Sequence, residues 1–131
     1  MATLANPTIV LGIVLNSRNH VLLVRRQGED KWIFPGGKLE PGEDEAEGVL
    51  REIQEETGVQ CQTLHSIGRR IHPESKREVS YWLCKPLAES ITTKDTKEIA
   101  EARWMAIPES LDLLGGTLYE PARQSLLARL E

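Results

Sequence analysis

The sequence predicts an α+β domain in which a mixed β-sheet lies between helices. Short β-branched and aliphatic runs occupy the first third of the chain and recur between residues 67 and 106. One long helical pattern separates these two groups, and two proline-opened helical patterns close the chain. The strands and helices are mixed without a regular strand–helix–strand alternation, which gives α+β topology.

Thr8 to Leu15 reads as a strand. The polar set Asn16, Ser17, Arg18 and Asn19 turns the chain, and Val21 to Val24 resumes the apolar run, so these segments predict a β-hairpin. Trp32-Ile33-Phe34 is a third extended piece, stopped at Pro35-Gly36-Gly37, where proline removes an amide donor and the glycines permit unusual backbone angles. A loop is expected next. Asp44 to Thr57 reads as a helix, and Gly58 supplies a residue suited to a left-handed helix end. Ile67 to Ile71 and Val79 to Leu87 read as strands around a turn at Pro73-Glu74-Ser75-Lys76, and Glu101 to Ala106 adds another. Pro108 opens a helix through Leu114. Pro121 opens a second, with Ala122, Leu126, Leu127 and Leu130 on one face, and both are expected to pack on the sheet.

A length of 131 residues fits one domain over 1–131, with no room for a separate substrate-binding domain. Apolar residues make up 40% and charged residues 27%, which excludes disorder and fibrous repeats. The longest apolar stretch, Ile9 to Leu15, is too short to span a bilayer, and no secretion signal is visible at the N-terminus, so a cytoplasmic location and no membrane partner are expected. Cys61 and Cys84 have no metal-ligand or disulfide spacing and are expected to be reduced and half-buried. The net charge of −4 argues against a nucleic acid polymer as partner. A polyphosphate ligand would need local basic residues or a metal.

Within the central helix, Glu52, Glu55 and Glu56 fall at spacings that place three carboxylates in one arc, beside a core-facing stripe of Ala46, Val49, Leu50, Ile53 and Thr57. An acidic helix face is by itself commonly a solvated surface. Clustered carboxylates repel one another, however, and a divalent cation relieves that cost. Magnesium suits such a site because it prefers hard oxygen ligands and shares its coordination shell with water and substrate phosphates.

Gly37, five residues, Glu43, seven residues, then Arg51-Glu52-Ile53-Gln54-Glu55-Glu56-Thr57-Gly58-Val59 matches the whole Nudix box, Gx5Ex7REUxEExGU with U aliphatic, at every position. With the preceding Phe34-Pro35-Gly36 and the later Trp104, the chain resembles the MutT-like Nudix pyrophosphohydrolases over most of its length. The resemblance implies the Nudix fold, an α/β/α sandwich. It also implies Glu52, Glu55 and Glu56 as metal ligands, with the Gly36 carbonyl as a further ligand, Mg2+ as cofactor and Mn2+ as a possible substitute. Gly37, Glu43, Arg51 and Gly58 then brace the loop and helix, and Arg51 has Glu55 and Glu47 within one turn.

The implied reaction is attack of water on a phosphorus of a small-molecule nucleotide substrate, a nucleoside-diphosphate derivative. A (deoxy)nucleoside triphosphate split to monophosphate and pyrophosphate is the first expectation, and oxidised nucleotides are among the candidates. Glu98 matches the late-loop position of a general base; Glu55 and Glu101 are alternatives. Arg26, Arg77, Phe34 and Tyr119 match nucleotide-facing positions. Tyr119 stands just before Glu120-Pro121, where oxidised-guanine hydrolases can carry an asparagine; tyrosine cannot make that residue's paired donor and acceptor contact, which argues against strict oxidised-guanine specificity. Nucleotide sugars, ADP-ribose and dinucleoside polyphosphates are alternative substrates, and a noncatalytic nucleotide-binding module is the alternative of another class. The family resemblance admits a monomer or a homodimer.

Overall fold

The computed structural model describes residues 7–131; the first six residues of the domain expected over 1–131, and with them the start of the N-terminal segment, lie outside it. In chain order the elements are β1 (Ile9–Val14), β2 (His20–Arg26), β3 (Trp32–Ile33), β4 (Gly36–Lys38), α1 (Glu45–Thr57), β5 (Cys61–Ile71), β6 (Glu78–Pro86), β7 (Ile99–Ala106), α2 (Ile107–Leu114) and α3 (Glu120–Ala128). A four-stranded sheet runs β4-β1-β6-β5, with β1 parallel to β6 and the other pairs antiparallel. A three-stranded antiparallel sheet runs β3-β2-β7. Strand and helix content therefore agree with the α+β expectation, and the strands divide between two sheets.

Alternation along the strands builds a core on each face. Val10, Val14 and Leu22 point towards Val49 and Ile53 of α1. Ile13, Val21 and Leu23 point the other way, towards Ile107 of α2 and Ala122 and Leu126 of α3. Both clusters draw on β1 and β2, so the strands form the middle layer of an α/β/α sandwich. Gly12 lets α1 come close, since a Cβ there would lie 2.6 Å from Ile53 Cδ1.

Five expectations need correction. The segments either side of Asn16–Asn19 do not form a hairpin: the turn is present, with Asn16 Oδ1 accepting from Arg18 N (3.0 Å) and His20 N (2.9 Å), but only Leu15 and Val21 bridge. The reason is that β4 and β6 occupy both edges of β1, leaving none for β2. The Gly36-Gly37 segment is strand β4 rather than loop, paired with Leu11 and Val10. β5 begins at Cys61, six residues before the expected start; its first half is polar and mostly exposed, and its ladder with β6 carries two register shifts, so no apolar alternation marks it. Lastly, Cys84 is fully buried, and Leu130 lies beyond α3 and is exposed.

Candidate active site

α1 begins at Asp44, whose side chain accepts from Glu47 N, and ends at Gly58 (φ 75°), whose N–H donates to Gln54 O. These caps and the buried Val49–Ile53 stripe set the helix rotation, and with it the direction of each glutamate. The three glutamates do not share one environment. Glu56 is only 2% exposed, because it follows Val49 and Ile53 by seven and three positions and so falls on the core-facing arc. Its Oε1 accepts from the Gly36 N–H at 2.9 Å, and its Oε2 lies 3.9 Å from Arg26 Nη2. Burial pushes the Glu56 pKa up to about 7, against the opposing pull of the Gly36 N–H and Arg26.

Glu52 lies beneath Gly37, where a Cβ would come within 2.7 Å of the carboxylate, and burial raises its pKa as well. Glu55 is half-exposed and ion-paired with Arg51 at 3.4 Å, while its backbone carbonyl accepts from Lys94 and Asp95, fastening the loop before β7. That loop presents Glu98, mostly exposed, 3.7 Å from Arg26 Nη1.

Arg51 is the bracing centre. It holds both Glu43 oxygens at 2.8 and 3.0 Å, Glu52 at 3.0 Å and the Lys38 carbonyl at 3.2 Å. The Arg51 hydrogen bond holds the Glu43 pKa down at about 2. A depressed carboxylate contributes stability above its unfolded pKa, and that contribution is lost as pH falls through the folded value. Arg51→Met is therefore expected to flatten the fall in melting temperature between about pH 4.5 and pH 2; an unchanged slope would argue against this brace.

Arg26, Gly36, Gly37, Lys38, Glu52, Glu56 and Glu98 line one cleft of about 430 Å³. Three carboxylates there face two cations. Among the described residues no three His, Cys, Asp or Glu side chains form a ready metal cage. The donor chemistry nevertheless fits a hard cation: the available ligands are oxygens, and Glu56 is a buried anion whose nearest counter-charge is 3.9 Å away. Glu56 carries the reverse sign from Glu43. A raised carboxylate contributes stability below its unfolded pKa that is lost as pH rises through the folded one. Without divalent cation, the chain should lose about 3 kcal/mol between pH 4.5 and above pH 7 from this group. Denaturant melts of Glu56→Gln, which should lack that slope, measure it.

A second, aromatic pocket of about 100 Å³ adjoins this cleft. Ile9 lines the acidic cleft and Leu11 the aromatic one, and same-face neighbours on a strand stand about 7 Å apart. Phe34 is 4% exposed, so it belongs to the core as well as to the pocket wall. Tyr119 stacks on Tyr81 at 4.6 Å, with the Arg70 guanidinium 5.3 Å from its ring centre. Arg77 lines neither cavity: its Nη2 donates to the Pro7 carbonyl at 3.2 Å, and Arg70 supplies the arginine of the aromatic pocket instead. The sequence reading also missed Lys38, Trp32 and His72 as lining residues. Lys38 had a visible signal, a cation directly after the paired glycines; Arg70, Trp32 and His72 gather only through the packing of β3, β5 and the segment before α3.

Comparison with known proteins assigns this fold, helix and cleft to one class, the Nudix pyrophosphohydrolases. The profile of the NUDIX domain family matches residues 5–126, and the chain belongs to that family. It is 30% identical over 128 residues to the 8-oxo-dGTP diphosphatase of Escherichia coli K12, covering 94% of this chain and 95% of that relative. Among solved structures it is similar to a UDP-X diphosphatase, with a TM-score of 0.73, 28% identity, and coverage of 99% of this chain and 64% of the other. A Nudix hydrolase from Nitrosomonas europaea shares the fold, with a TM-score of 0.81, 22% identity, and coverage of 98% and 74%. The family match and the named diphosphatases mark the chain as an enzyme and set aside the binding-only alternative. Nudix hydrolases generally use a divalent metal. No helix of the described residues is long and apolar enough to cross a membrane.

Proposed function

We propose that the acidic cleft hydrolyses the pyrophosphate bond of a (deoxy)nucleoside triphosphate, releasing the monophosphate and pyrophosphate, with Mg2+ as metal and Mn2+ as substitute. The observation that carries this reading is the buried Glu56 carboxylate, held by the Gly36 N–H at the floor of a cleft that also presents Arg26 and Lys38. Glu52, Glu56 and the Gly36 carbonyl would hold the metal, joined by Glu55 once it leaves Arg51. When bound, the metal offsets phosphate charge and lowers the pKa of a coordinated water.

Arg26 and Lys38 take phosphate oxygens, and the base enters the aromatic pocket. Water adds to one phosphorus, the bridging P–O bond breaks, and the bridging oxygen leaves with the other phosphorus. Glu98 accepts the water proton. It is favoured over Glu55 and Glu101 because it lines the cleft and neither of them does, Glu101 lying 3.8 Å from Arg25. The name of the E. coli relative, an 8-oxo-dGTP diphosphatase, supports a purine triphosphate. A second reading, a substrate with a further group beyond the base, is favoured by an adjoining hollow of about 320 Å³ that shares Trp32, His72 and Thr117 with the aromatic pocket.

A panel of triphosphates, nucleotide sugars, ADP-ribose and dinucleoside polyphosphates with Mg2+, read by product chromatography, tests both. Monophosphate and pyrophosphate from triphosphates is the expected result; no turnover of any triphosphate would overturn it. Light scattering decides between monomer and homodimer.

A further inference from the structure

The polar atoms of the aromatic pocket have an unbalanced chemistry. His72 Nδ1 accepts from the N–H groups of Glu74 (3.1 Å) and Ser75 (3.3 Å), which places the ring proton of the neutral tautomer on Nε2. Trp32 and Arg70 carry donors only. Arg70 Nε donates to the Tyr81 hydroxyl at 3.2 Å, and Arg70 Nη2 donates to the Thr117 carbonyl. The Tyr119 hydroxyl donates to the Arg69 carbonyl at 3.4 Å. Among the described residues no carboxylate or amide side chain lines the pocket; the backbone carbonyls of Arg69 and Thr117 each already accept one bond, and the Thr117 hydroxyl can donate or accept.

Tyr119 is locked in this arrangement. Its ring lies flat on Tyr81, with 26° between planes, and its hydroxyl fits because residue 68 is glycine: a Cβ there would sit 2.6 Å from the hydroxyl oxygen. Gly68 also has φ 141°, at a register shift between β5 and β6, so a larger residue is disfavoured on backbone grounds too.

Oxidation of guanine at C8 adds a carbonyl and turns N7 from an acceptor into an N–H donor. A protein reads that change by offering an acceptor to the new N–H. The donors of this pocket meet an acceptor in either base, N7 before oxidation and the C8 carbonyl after it, and the Thr117 and Tyr81 hydroxyls can donate or accept. We infer that the aromatic pocket holds a base by stacking and donor contacts without reading the C8–N7 edge, so that oxidised and unoxidised guanine nucleotides are hydrolysed with similar kcat/KM. The inference rests on the proposed triphosphate reaction for its kinetic form.

A site that hydrogen-bonds a distinguishing group discriminates by about 10⁴-fold or more, whereas shape alone gives about 10²-fold at most. The expected ratio of kcat/KM for 8-oxo-dGTP to dGTP is within about tenfold. A ratio up to about thirty supports the inference, and a larger preference either way overturns it. Calorimetry with dGMP and 8-oxo-dGMP separates this from a failure of the proposed reaction. If no triphosphate is turned over, the reaction falls, while the two dissociation constants still decide the pocket by the same ratio; no binding of either at millimolar concentration overturns it. Tyr119→Ala, checked for folding by circular dichroism, should weaken both monophosphates alike by about tenfold, the usual worth of a stacked base. Loss confined to the oxidised base would overturn the inference.

Discussion

Glu56→Gln is expected to lower kcat/KM by about 10³-fold or more while making the metal-free protein more stable above pH 7. Both effects follow from the same burial. The carboxylate is almost wholly removed from water, and its nearest cation stands 3.9 Å away, so above pH 7 the folded chain bears an ill-solvated charge. Glutamine can keep an oxygen towards the Gly36 N–H and removes the charge, but it cannot serve as an anionic metal ligand. Steady-state kinetics with Mg2+, beside urea melts in EDTA, reads both. Retention of more than about a tenth of the activity would remove Glu56 from the proposed metal site. The double replacement of Glu55 and Glu56 by glutamine should likewise abolish turnover, and unchanged magnesium-dependent hydrolysis there would refute the whole ligand assignment.

Gly36→Ala should cost about 3 kcal/mol or more of stability. At φ 156° the backbone is strained for any residue with a side chain, and a Cβ would strike the Val10 carbonyl and lie 2.8 Å from Leu11 Cα. Neither is a flexible group, so relief requires β4 to move off β1 and to carry the Gly36 N–H away from Glu56. Gly37→Ala makes the contrast. The three atoms nearest its Cβ would all belong to the Glu52 carboxylate, the far end of a long side chain and not backbone, so folding should survive while activity falls. Melting temperature and kcat measured on both variants test the pair; a Gly36→Ala protein as stable as the parent would show that β4 tolerates a shift the geometry forbids.

Much of the molecule was legible in the residue order because local rules decide it. The helix over Glu45–Thr57 follows from its apolar spacing, the Asp44 cap and Gly58, and α2 and α3 follow from Pro108 and Pro121. Residue order marks Glu43 and Arg51 as bracing residues, but helical spacing offers Arg51 only Glu55 and Glu47 as partners, whereas its two-bond contact is with Glu43, eight residues away and ahead of the helix. Cleft residues Gly36, Gly37, Glu52 and Glu56 are near one another in sequence, joined by one turn and one helix, so the motif exposes them.

What the sequence by itself determined is the set of local elements, the acidic helix and the family chemistry that the complete box carries. Tertiary structure decided which edges the strands share and how three similar glutamates differ. The hairpin failed because β6, arriving from some 70 residues away, takes the edge of β1 that β2 would need. Glu56 departs from Glu55 because the sheet covers one arc of α1 and leaves the other to solvent, and burial of a charge is a property of everything packed around it. Arg70 rather than Arg77 reaches the aromatic pocket for the same kind of reason: long-range pairing of β5 with β6 sets which side chains meet, and no spacing along the chain encodes that directly.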